Sequence, residues 1–444
     1  MKIFGLLDCN SFFASCEKVF HPAWEKRPVV VLSNNDGCVV ARSPEAKPFI
    51  AMGAPYFQIK KIAEVHGVIV RSSNFSLYGD MSRRVMLTLT QWTPEIEIYS
   101  IDEAFLDLTS RFHDTPIWDA SFEKRLAQLA SEMVETVPRW TGIPVALGIG
   151  PTKTLAKLAN KIAKGRSDRY CSVLGEERRV EALRTFDVGD VWGVGRRLLP
   201  KFRRLGIKTA LDLARLDPFY VRSEFSITQE RTVRELRGEI CFDAESTPEP
   251  RQNIRVSRSF GDMVSKLSEL ESAVASFAAK GAERLRRQGS VASGVRVQLD
   301  TNRFRTDLAQ NHDALLAGFS RPTDSTPEII ETALTALRQL YRPDFLYKRA
   351  MIQLFGLLDA ETAASVRYLF DPDPDAESAN GRNEEKRAAE KRLMKTVDAL
   401  NATLGAGRLF FAAEGIAPAW RPNAQFVSPS YTTNWSEIPV VKAK

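Results

Sequence analysis

The sequence is poor in the two residue types that most often bind transition metals or act as general bases. It contains only five cysteines and four histidines among 444 residues. The cysteines are odd in number and scattered, and none forms a Cys-x-x-Cys pair, so neither a disulfide framework nor a zinc site is expected. The histidines lie far apart in the sequence, which disfavours histidine-based catalysis.

Long apolar runs are also absent. No run approaches the roughly 18 residues that a membrane-spanning helix needs. Asp8 interrupts the first apolar stretch, too early for the apolar core of a signal peptide. Hydrophobic residues make up 44% of the chain and charged residues 26%, proportions typical of a globular protein in water. We therefore expect a cytoplasmic protein of about three domains that has no membrane association.

Positive charge is concentrated in one segment. The whole chain carries a formal net charge of +7, whereas residues 153–204 alone contain fourteen Lys or Arg and six Asp or Glu, a net excess of eight positive charges. Within this segment four lysines recur at helical spacing: Lys153, Lys157, Lys161 and Lys164. A solvated helix face would have the same pattern, but the surrounding charge favours contact with nucleic-acid phosphates.

Two adjacent acids, Asp102 and Glu103, lie between two apolar runs that are rich in β-branched and aromatic residues (96–99 and 104–108). This pattern predicts a β-hairpin with both carboxylates at its tip. Neighbouring carboxylates repel each other unless a cation lies between them, so the pair indicates a hard divalent ion with oxygen ligands. Asp8, at the end of the first apolar strand, is placed to join them. An ordinary acidic turn is the alternative for the pair, and a helix-capping acid is the alternative for Asp8.

A third motif, Gly193-Val194-Gly195-Arg196, leads into a basic stretch that ends in Leu-Gly-Ile. It predicts two short helices joined by a glycine hairpin. Because glycine has no Cβ atom, backbone N–H groups there can converge on a phosphate and bind DNA irrespective of base sequence. A plain helix–helix turn is the alternative.

The order of predicted elements indicates an α+β fold. Hairpins alternate with helices along the first 165 residues, which favours a split β-α-β arrangement over a doubly wound sheet. These elements include, in chain order, a hairpin over 28–41, a short helix over 43–52, and longer helices over 74–92 and 118–137. After residue 252 the predicted order is strand, helix, strand, strand, helix, strand, which indicates a second compact domain.

Three stretches resemble the palm motifs of the Y-family translesion DNA polymerases: Asp8–Glu17, Tyr99–Phe105 and Gly150–Lys157. Five more resemble the UmuC-type branch of that family: 33–42, 190–197, 230–239, 257–261 and 428–433. The likeness runs nearly end to end. It implies a right-hand polymerase with a ferredoxin-like palm, small fingers, a helix-hairpin-helix thumb and a β-α-β-β-α-β little-finger domain.

The same resemblance implies domain boundaries. The palm would occupy 1–165 with the fingers inserted at about 25–75, followed by the thumb at 166–240, a linker at 241–252, the little finger at 253–358, a tether at 359–392 and a UmuC-type C-terminal docking tail at 393–444. For the isolated aromatics of the tail, packing against the chain's own core is the alternative.

The resemblance also assigns chemistry to particular residues. Asp8, Asp102 and Glu103, helped by the backbone carbonyl of Cys9, would hold two Mg²⁺ ions for transfer of a nucleotide from a dNTP to a primer 3′-hydroxyl. Phe13 falls at the steric-gate position, where an aromatic ring would crowd a ribose 2′-hydroxyl. The other expected contacts are with the nucleotide, from Asn10, Phe12, Lys47 and Lys164, and with DNA, from Lys153, Lys157, Lys161, Gly193, Val194, Gly195 and Arg196.

Two positions depart from the family pattern. Pro44 and Lys47 stand where many members carry a triphosphate-binding Tyr and Arg, and Val366 replaces the glutamine that begins a clamp-binding peptide, here Tyr368–Asp371. The family further implies lesion bypass in an SOS-type response. Its expected partners are primer–template DNA, a UmuD-type dimer and RecA, with a sliding clamp as a further candidate.

Two other functions share parts of this pattern. Nucleotidyl cyclases also build a palm-like sheet with two metal-binding acids, but they need neither a basic thumb nor a second DNA-binding domain. A catalytically silent DNA-binding scaffold would not need the intact set of Asp8, Asp102 and Glu103. The sequence therefore favours an error-prone, template-directed DNA polymerase.

Overall fold

The computed structural model of the chain describes residues 2–114, 120–242, 250–365, 377–405, 407–416, 420 and 423–440, without the side chains of 364–365 and 377–387. The chain divides into two compact units, one formed by residues 1–248 together with 425–444 and the other by 249–424. No helix in the described ranges is long and apolar enough to span a bilayer.

The strands described in the first unit form two sheets. In chain order they are β1 (Phe4–Cys9), β2 (Val29–Leu32), β3 (Val39–Arg42), β4 (Ile69–Ser72), β5 (Ile96–Ile98), β6 (Glu103–Asp107), β7 (Val145–Gly150) and β8 (Tyr170–Ser172). A five-stranded sheet has the order β5-β6-β1-β7-β8, and a three-stranded sheet has the order β3-β2-β4. The central strand β1 is antiparallel to both β6 and β7.

Helices cover both faces of the five-stranded sheet. The helices of this unit are α1 (Phe12–Val19), α2 (Tyr56–Val65), α3 (Phe75–Leu89), α4 (Ala120–Thr141), α5 (Lys153–Ala163), α6 (Glu176–Thr185), α7 (Leu199–Arg204), α8 (Ala210–Arg215), α9 (Pro218–Glu224) and α10 (Ile227–Leu236). Leu7 packs in the core shared with α1, α3 and α4. Phe4 and Leu6 point to the opposite face and meet Ala156 of α5. The central strand is therefore buried on both sides.

Helix α5 lies directly against β7. A Cβ atom at Gly148 would overlap the backbone of Ala156 and Asn160, so only glycine allows this close approach. The buried side chain of Asn160 donates hydrogen bonds to the carbonyl oxygens of Leu6 (3.1 Å) and Ala146 (2.8 Å). These contacts fix α5 against β1 and β7, and they decide where its lysines stand.

The three-stranded sheet contains the predicted hairpin of β2 and β3, with β4 added parallel to β2. The predicted helix over 43–52 is wrong, since only a 3₁₀ turn forms there, at Pro44–Ala46. Pro48 has no N–H to donate, and a proline ring in a helix clashes with the carbonyl four residues earlier. The longer helices predicted over 74–92 and 118–137 are confirmed as α3 and α4.

Helices α6 to α10 pack around a core that they share with α5 and that includes Leu183, Phe202 and Val233. The prediction of two helices around the glycine motif is half correct. Helix α7 follows the glycines, but only a 3₁₀ turn, Val188–Asp190, precedes them. The glycines of this stretch disfavour a regular helix there because glycine loses the most backbone entropy on ordering.

Residues 425–440 belong to the first unit. Tyr431 lies in its main core, and Phe426 packs against the core of the three-stranded sheet. Trp420 is likewise buried, in the core of the second unit. Packing against the chain's own core, the alternative for the tail aromatics, therefore holds for Trp420 and Tyr431, whereas Phe410 and Trp435 are exposed.

The second unit contains a four-stranded antiparallel sheet in the order β11-β10-β12-β9. Its elements are β9 (Ile254–Val264), α11 (Leu267–Arg287), β10 (Ser290–Thr301), β11 (Ala314–Thr323), α12 (Thr326–Leu340), β12 (Tyr347–Asp359), α13 (Ala360–Ser365) and α14 (Glu377–Leu404). The predicted order of strands and helices is confirmed. Helix α14 is fastened to α11 by Arg286, which donates to both carboxylate oxygens of Asp398 (2.7 and 2.8 Å).

Candidate active site

Three predicted carboxylates meet at one end of the five-stranded sheet. Asp8 and Glu103 are directly opposed residues of β1 and β6. Asp102 lies one residue earlier, in the turn between β5 and β6, where its carbonyl accepts a hydrogen bond from Cys9 N (2.7 Å). The hairpin that the sequence predicted is confirmed by the pairing of β5 with β6.

Ser100 shapes the turn that carries two of these acids. Its hydroxyl accepts hydrogen bonds from the backbone N–H groups of Asp102 (3.3 Å) and Glu103 (3.1 Å) and donates to Asp102 Oδ1 (2.5 Å). A serine side chain that accepts from nearby backbone amides stabilises a tight turn. Ser100 therefore orients the Asp102 carboxylate.

A lysine of α5 and the lysine that caps its C-terminus contact two of the carboxylates. Lys164 Nζ lies 2.8 Å from Asp8 Oδ2, and Lys157 Nζ lies 2.8 Å from Glu103 Oε1. The ammonium of Lys157 also lies 4.4 Å from the centroid of the Tyr99 ring, within cation–π range. The two lysines therefore compensate two of the three acidic charges.

The other two lysines of the stripe also have acidic partners. Lys153 is only 3% exposed and pairs with Glu97 of β5 at 2.5 Å. Lys161, which is half exposed, pairs with Asp190. The face of α5 is thus not simply solvated. Contact of these lysines with DNA stays a prediction, and Lys153 would have to leave a buried ion pair to make one.

Burial is the main cause of the shifted pKa values of Asp8 and Cys9 at the end of β1. It raises the pKa of Asp8, although the adjacent Lys164 opposes the shift, and the charges of Asp102 and Glu103 raise the pKa further. Burial also raises the pKa of the Cys9 thiol well above its ordinary value. The thiol therefore stays protonated at neutral pH, which leaves the backbone carbonyl of Cys9 as its candidate metal ligand.

The acidic set fits a hard divalent cation in its chemistry. Among the side chains described, no group of three or more His, Cys, Asp or Glu stands as it would around a metal ion, and two of the three carboxylates have lysine partners instead. The donors are oxygens that repel one another, as the effect of Asp102 and Glu103 on Asp8 shows. A cation between them would relieve that repulsion.

A strained residue links the carboxylate strand to α1. Ser11 adopts a left-handed conformation (φ 50°, ψ 42°), which is uncommon for a residue other than glycine. Asn10 is held by a hydrogen bond from its N–H to the carbonyl of Pro144 (2.8 Å). This sharp turn buries Phe12 in the core and leaves Phe13 partly exposed.

Phe13 lies in an aromatic cluster that the sequence did not reveal. Its ring stacks on Tyr78 of α3, with centroids 4.5 Å apart and planes 15° apart, and meets the edge of Phe75 at 5.9 Å. Tyr78 is fully buried, and its hydroxyl donates to Glu17 Oε1 at 2.7 Å. The ring at the expected steric-gate position is therefore supported from behind by a hydrogen-bonded tyrosine.

The glycine motif exposes backbone to solvent. Gly193 (φ 91°) and Gly195 are exposed, as is Arg196, while Val194 is buried. The carbonyl of Gly193 accepts a hydrogen bond from Gln229 Nε2 (3.0 Å), which holds the motif against α10. An accessible glycine backbone is what a phosphate contact requires.

Lys47 is the predicted nucleotide contact that the structure connects least to the others. Its side chain is exposed, just after the 3₁₀ turn that contains Pro44. No ion pair or side-chain hydrogen bond of Lys47 brings it to the acidic end of the sheet in the described part of the chain. Its role in nucleotide binding stays a prediction.

Glu235 of α10 is a buried residue that sequence reasoning missed. It accepts hydrogen bonds from the N–H groups of Thr154 (2.9 Å), Cys241 (3.0 Å) and Phe242 (3.0 Å). A carboxylate at the first turn of α5 satisfies one of its free N–H groups and interacts favourably with the helix dipole. Glu235 thus anchors the helix that carries the active-site lysines. The only signal for Glu235 in the sequence is its place within the run 230–239, which resembles the UmuC-type branch of the family.

A palm-like sheet with two acids at a hairpin, a third on the adjoining strand, and basic helices beside it defines a polymerase-type nucleotidyltransferase. Models of the impB/mucB/samB family match residues 7–161 and, for its C-terminal domain, residues 251–367. A domain of unknown function, DUF4113, matches residues 391–441.

Known proteins resemble the chain over its whole length. Protein UmuC of Salmonella typhimurium is 40% identical over 99% of this chain and 100% of its own. Protein MucB of Escherichia coli is 36% identical over the full length of both chains, and DNA polymerase IV of Caulobacter vibrioides is 26% identical over 90% of this chain and 91% of its own. The chain therefore belongs to the impB/mucB/samB family, the UmuC-type translesion polymerases of the Y family.

Solved structures agree on the fold. A Y-family DNA polymerase chimera of Dbh and Dpo4 matches with a TM-score of 0.65 over 80% of this chain and 99% of its own, at 20% identity. The insertion ternary complex of Dbh DNA polymerase matches with a TM-score of 0.52 at 19% identity. The predicted right-hand α+β fold is confirmed.

Proposed function

We propose that the chain performs error-prone, template-directed DNA synthesis across damaged bases by transferring nucleotides from dNTPs to a primer 3′-hydroxyl. The observation that carries the proposal is the direct opposition of Asp8 and Glu103 with Asp102 in the adjoining turn. A DNA-binding scaffold would have no use for three repelling carboxylates at one end of a buried sheet. A nucleotidyl cyclase would not need the basic helical segment or the second unit.

The proposed cofactor is a pair of Mg²⁺ ions. Asp8, Asp102, Glu103 and the carbonyl of Cys9 would hold them. When bound there, Mg²⁺ supplies positive charge that stabilises the attacking and leaving oxygens of an in-line phosphoryl transfer. We assign Lys164, which now pairs with Asp8, to the triphosphate, because its half-exposed ammonium can turn from one anion to another.

Sugar selection is assigned to Phe13. Its ring is partly exposed and is fixed by stacking on Tyr78, so it can exclude a 2′-hydroxyl by steric contact. Asn10 and Phe12 form the turn and the core beneath it and would shape the same nucleotide pocket. Lys47, on an exposed turn, remains a proposed contact of the incoming nucleotide.

Backbone-directed DNA binding is assigned to the glycine motif and the half-exposed lysine beside it. Gly193, Gly195, Arg196 and Lys161 are accessible to phosphates, and Val194 supports the motif from the core. Such contacts carry no base information, which suits an enzyme that must accept altered template bases. Lys153 and Lys157 would contribute to the positive field around the site.

A UmuD-type dimer and RecA are the proposed protein partners in an SOS-type response, and the cytoplasm is the proposed place of action. A sliding clamp is a further candidate. The peptide that would bind it, Tyr368–Asp371 with Val366 before it, lies outside the described residues, so clamp binding stays a prediction.

The test is primer extension with Mg²⁺ and dNTPs on a damaged and an undamaged template. Wild type is compared with Asp102→Ala and with Asp114→Ala, an exposed acid outside the site. Each protein is assayed with and without a UmuD-type dimer and a RecA filament, and DNA binding is measured in parallel. We expect extension to vanish in Asp102→Ala while DNA binding persists, because the lost charge belongs to the metal site.

Wild-type extension on the damaged template, retained by Asp114→Ala, would support the proposal. Failure of the wild type to extend either template with both partners present, despite binding DNA, would instead identify a scaffold. Release of cyclic nucleotide without primer would identify a cyclase.

A further inference from the structure

The segment 425–431, which we name the return segment, is held along the edge of the three-stranded sheet. Phe426 exchanges hydrogen bonds with Ser72 at the end of β4, from Phe426 N to Ser72 Oγ (2.9 Å) and from Ser72 N to Phe426 O (3.1 Å). Gln425 N donates to Asp36 Oδ2 at 2.8 Å. The segment is therefore positioned by specific backbone contacts as well as by its apolar side chains.

Ser428 is the most buried polar residue of the return segment, at 3% exposure. Its hydroxyl donates to Glu17 Oε1 (3.0 Å) and accepts from Asn74 Nδ2 (3.1 Å), which also donates to the Ser428 carbonyl (3.0 Å). Asn74 Oδ1 in turn accepts from Leu77 N (3.1 Å) and caps α3. Ser428 thereby joins α1 and α3, the two helices that carry Phe13 and Tyr78.

Glu17 connects the return segment to the aromatic cluster. It is completely buried, and the same oxygen accepts from Tyr78 and from Ser428, while Oε2 has no hydrogen-bond partner among the described residues. A buried acceptor that loses one of two donors is poorly satisfied. The position of Tyr78 therefore depends on Ser428 through a single shared oxygen.

Tyr78 passes this constraint to Phe13. The two rings are nearly parallel at 4.5 Å, so a shift of one ring displaces the other. Tyr78 has two rotatable side-chain angles, and the hydrogen bond of its hydroxyl to Glu17 fixes the far end of the ring. Without that bond the ring would be held by packing alone.

We propose that the return segment sets the position of the steric gate: Ser428, acting through Glu17 and Tyr78, holds the Phe13 ring where it excludes a ribose. Ser428, Glu17 and Tyr78 are positioning residues for sugar selection. This inference rests on the proposed function of Phe13 as the gate.

The experiment measures kcat and KM for one dNTP and the matching rNTP opposite an undamaged template base, with the full chain and the UmuD-type and RecA partners present. Ser428→Ala and Tyr78→Phe each remove one hydroxyl and no ring. We expect each to lower the dNTP/rNTP selectivity about three- to tenfold, because a small displacement of a group in an active site has effects of this size or larger.

The loss should appear mainly as a lower KM for the rNTP, since a displaced ring admits the ribose without entering the chemistry. Ser428→Thr keeps the hydroxyl and should restore selectivity. Ser436→Ala is the matched control, because Ser436 is exposed and bonds to Asn434 within the tail, and it should leave both substrates unaffected.

The outcomes separate this inference from the proposed function. If Phe13→Ala leaves discrimination unchanged, the gate itself is wrong and the inference falls with it. If Phe13→Ala loses discrimination but Ser428→Ala behaves like Ser436→Ala, or lowers the melting temperature without altering selectivity, the return segment has no positioning role.

The double variant that combines Phe13→Ala with Ser428→Ala tests whether Ser428 affects sugar selection through the Phe13 ring. No further loss beyond Phe13→Ala supports action through the Phe13 ring, because residues that act as a unit are not additive. Additive losses would mean that Ser428 acts elsewhere and would overturn the proposal.

Discussion

Asp8 and Glu103 face each other across β1 and β6, and each carboxylate has a lysine of the same helix against it. Lys157 and Lys164, the residue that caps the C-terminus of α5, are seven residues apart, which is about two helical turns. Neighbouring strands lie only about 4.8 Å apart, so the two long side chains must reach inward to contact both strands. Two lysine ammonium groups therefore contact acids that we propose as ligands of Mg²⁺. Metal binding and lysine release should be linked.

Replacing Lys157 with methionine tests that linkage. Without Mg²⁺ the variant should be less stable by roughly 1–2 kcal/mol, because Glu103 loses a charged hydrogen bond. Added Mg²⁺ no longer competes with the lysine, so it should raise the melting temperature more than in the wild type. Thermal unfolding across a Mg²⁺ series measures both effects. Lys161 pairs with Asp190 instead, so Lys161→Met should show the same Mg²⁺-dependent shift of the melting temperature as the wild type. Equal shifts in all three proteins would contradict the linkage.

Phe13→Ala should admit ribonucleotides. The ring is the proposed block against a 2′-hydroxyl, and loss of a single steric contact is worth about 1–3 kcal/mol of discrimination. Incorporation of matched dNTP and rNTP, compared as kcat/KM, measures the change. Phe75→Ala removes the neighbouring exposed ring and serves as the control. Equal loss in both variants would show that general loosening, rather than the gate, is responsible.

Gly148→Ala should strongly destabilise the first unit. The added methyl group would overlap the backbone of α5, which cannot move aside as a side chain can, so we expect a cost at or above about 3 kcal/mol. Urea unfolding measures it. Gly79→Ala is the matched control, because the new Cβ meets nothing within 4 Å in helix α3 and alanine favours helix. Similar stabilities of the two variants would show that α5 can shift away from β7.

Glu17 should make stability depend on pH. Burial raises its pKa, while the hydrogen bonds from Tyr78 and Ser428 and the charge of Arg71 oppose the shift. The folded state thus binds the proton more tightly than the unfolded state, so this contribution is complete below the ordinary glutamate pKa, about 4.3, and is lost as pH rises through the folded pKa.

The corresponding variant is Glu17→Gln, which keeps an accepting oxygen and removes the titration. Between acidic and neutral pH its melting temperature should fall less than that of the wild type. Glu239→Gln changes an exposed acid and should keep the wild-type slope. If the melting temperature of Glu17→Gln depends on pH as steeply as that of the wild type, groups other than Glu17 cause the pH dependence.

The local parts of this architecture were accessible from the sequence. The hairpin with Asp102 and Glu103 was predicted because strand periodicity and a short polar tip are local signals, and Asp8 followed from the end of an apolar run. The helix predicted over 43–52 is wrong because Ser43 and Pro44 do start a turn there, at Pro44–Ala46, but Pro48 cannot donate the backbone hydrogen bond that a longer helix needs. Short-range patterns thus locate the acids but overestimate how much of the chain is helical.

The contacts that surround the acids were not accessible in the same way. Lysines at helical spacing indicated a basic face, yet nothing in that spacing says that Lys153 is buried against Glu97. Glu17 and Tyr78 belong to different helices, and Ser428 follows them by about 350 residues or more. Such pairings depend on how distant elements pack, which periodicity does not encode.

The position of Ser428 and Tyr431 also has a consequence for synthesis on the ribosome. Hydrogen bonds join His21 to Tyr431 and Glu17 to Ser428 across 410 and 411 residues, so α1 and the turn after it receive these partners only after about 400 further residues have been translated. At ordinary elongation rates this delay is on the order of tens of seconds. During that time Glu17 has Tyr78 but not Ser428 as a donor, and the ring of Phe20 lacks its partner Tyr431. Only a chain translated past Tyr431 can complete these contacts, so α1 reaches its final surroundings after the second unit has been made.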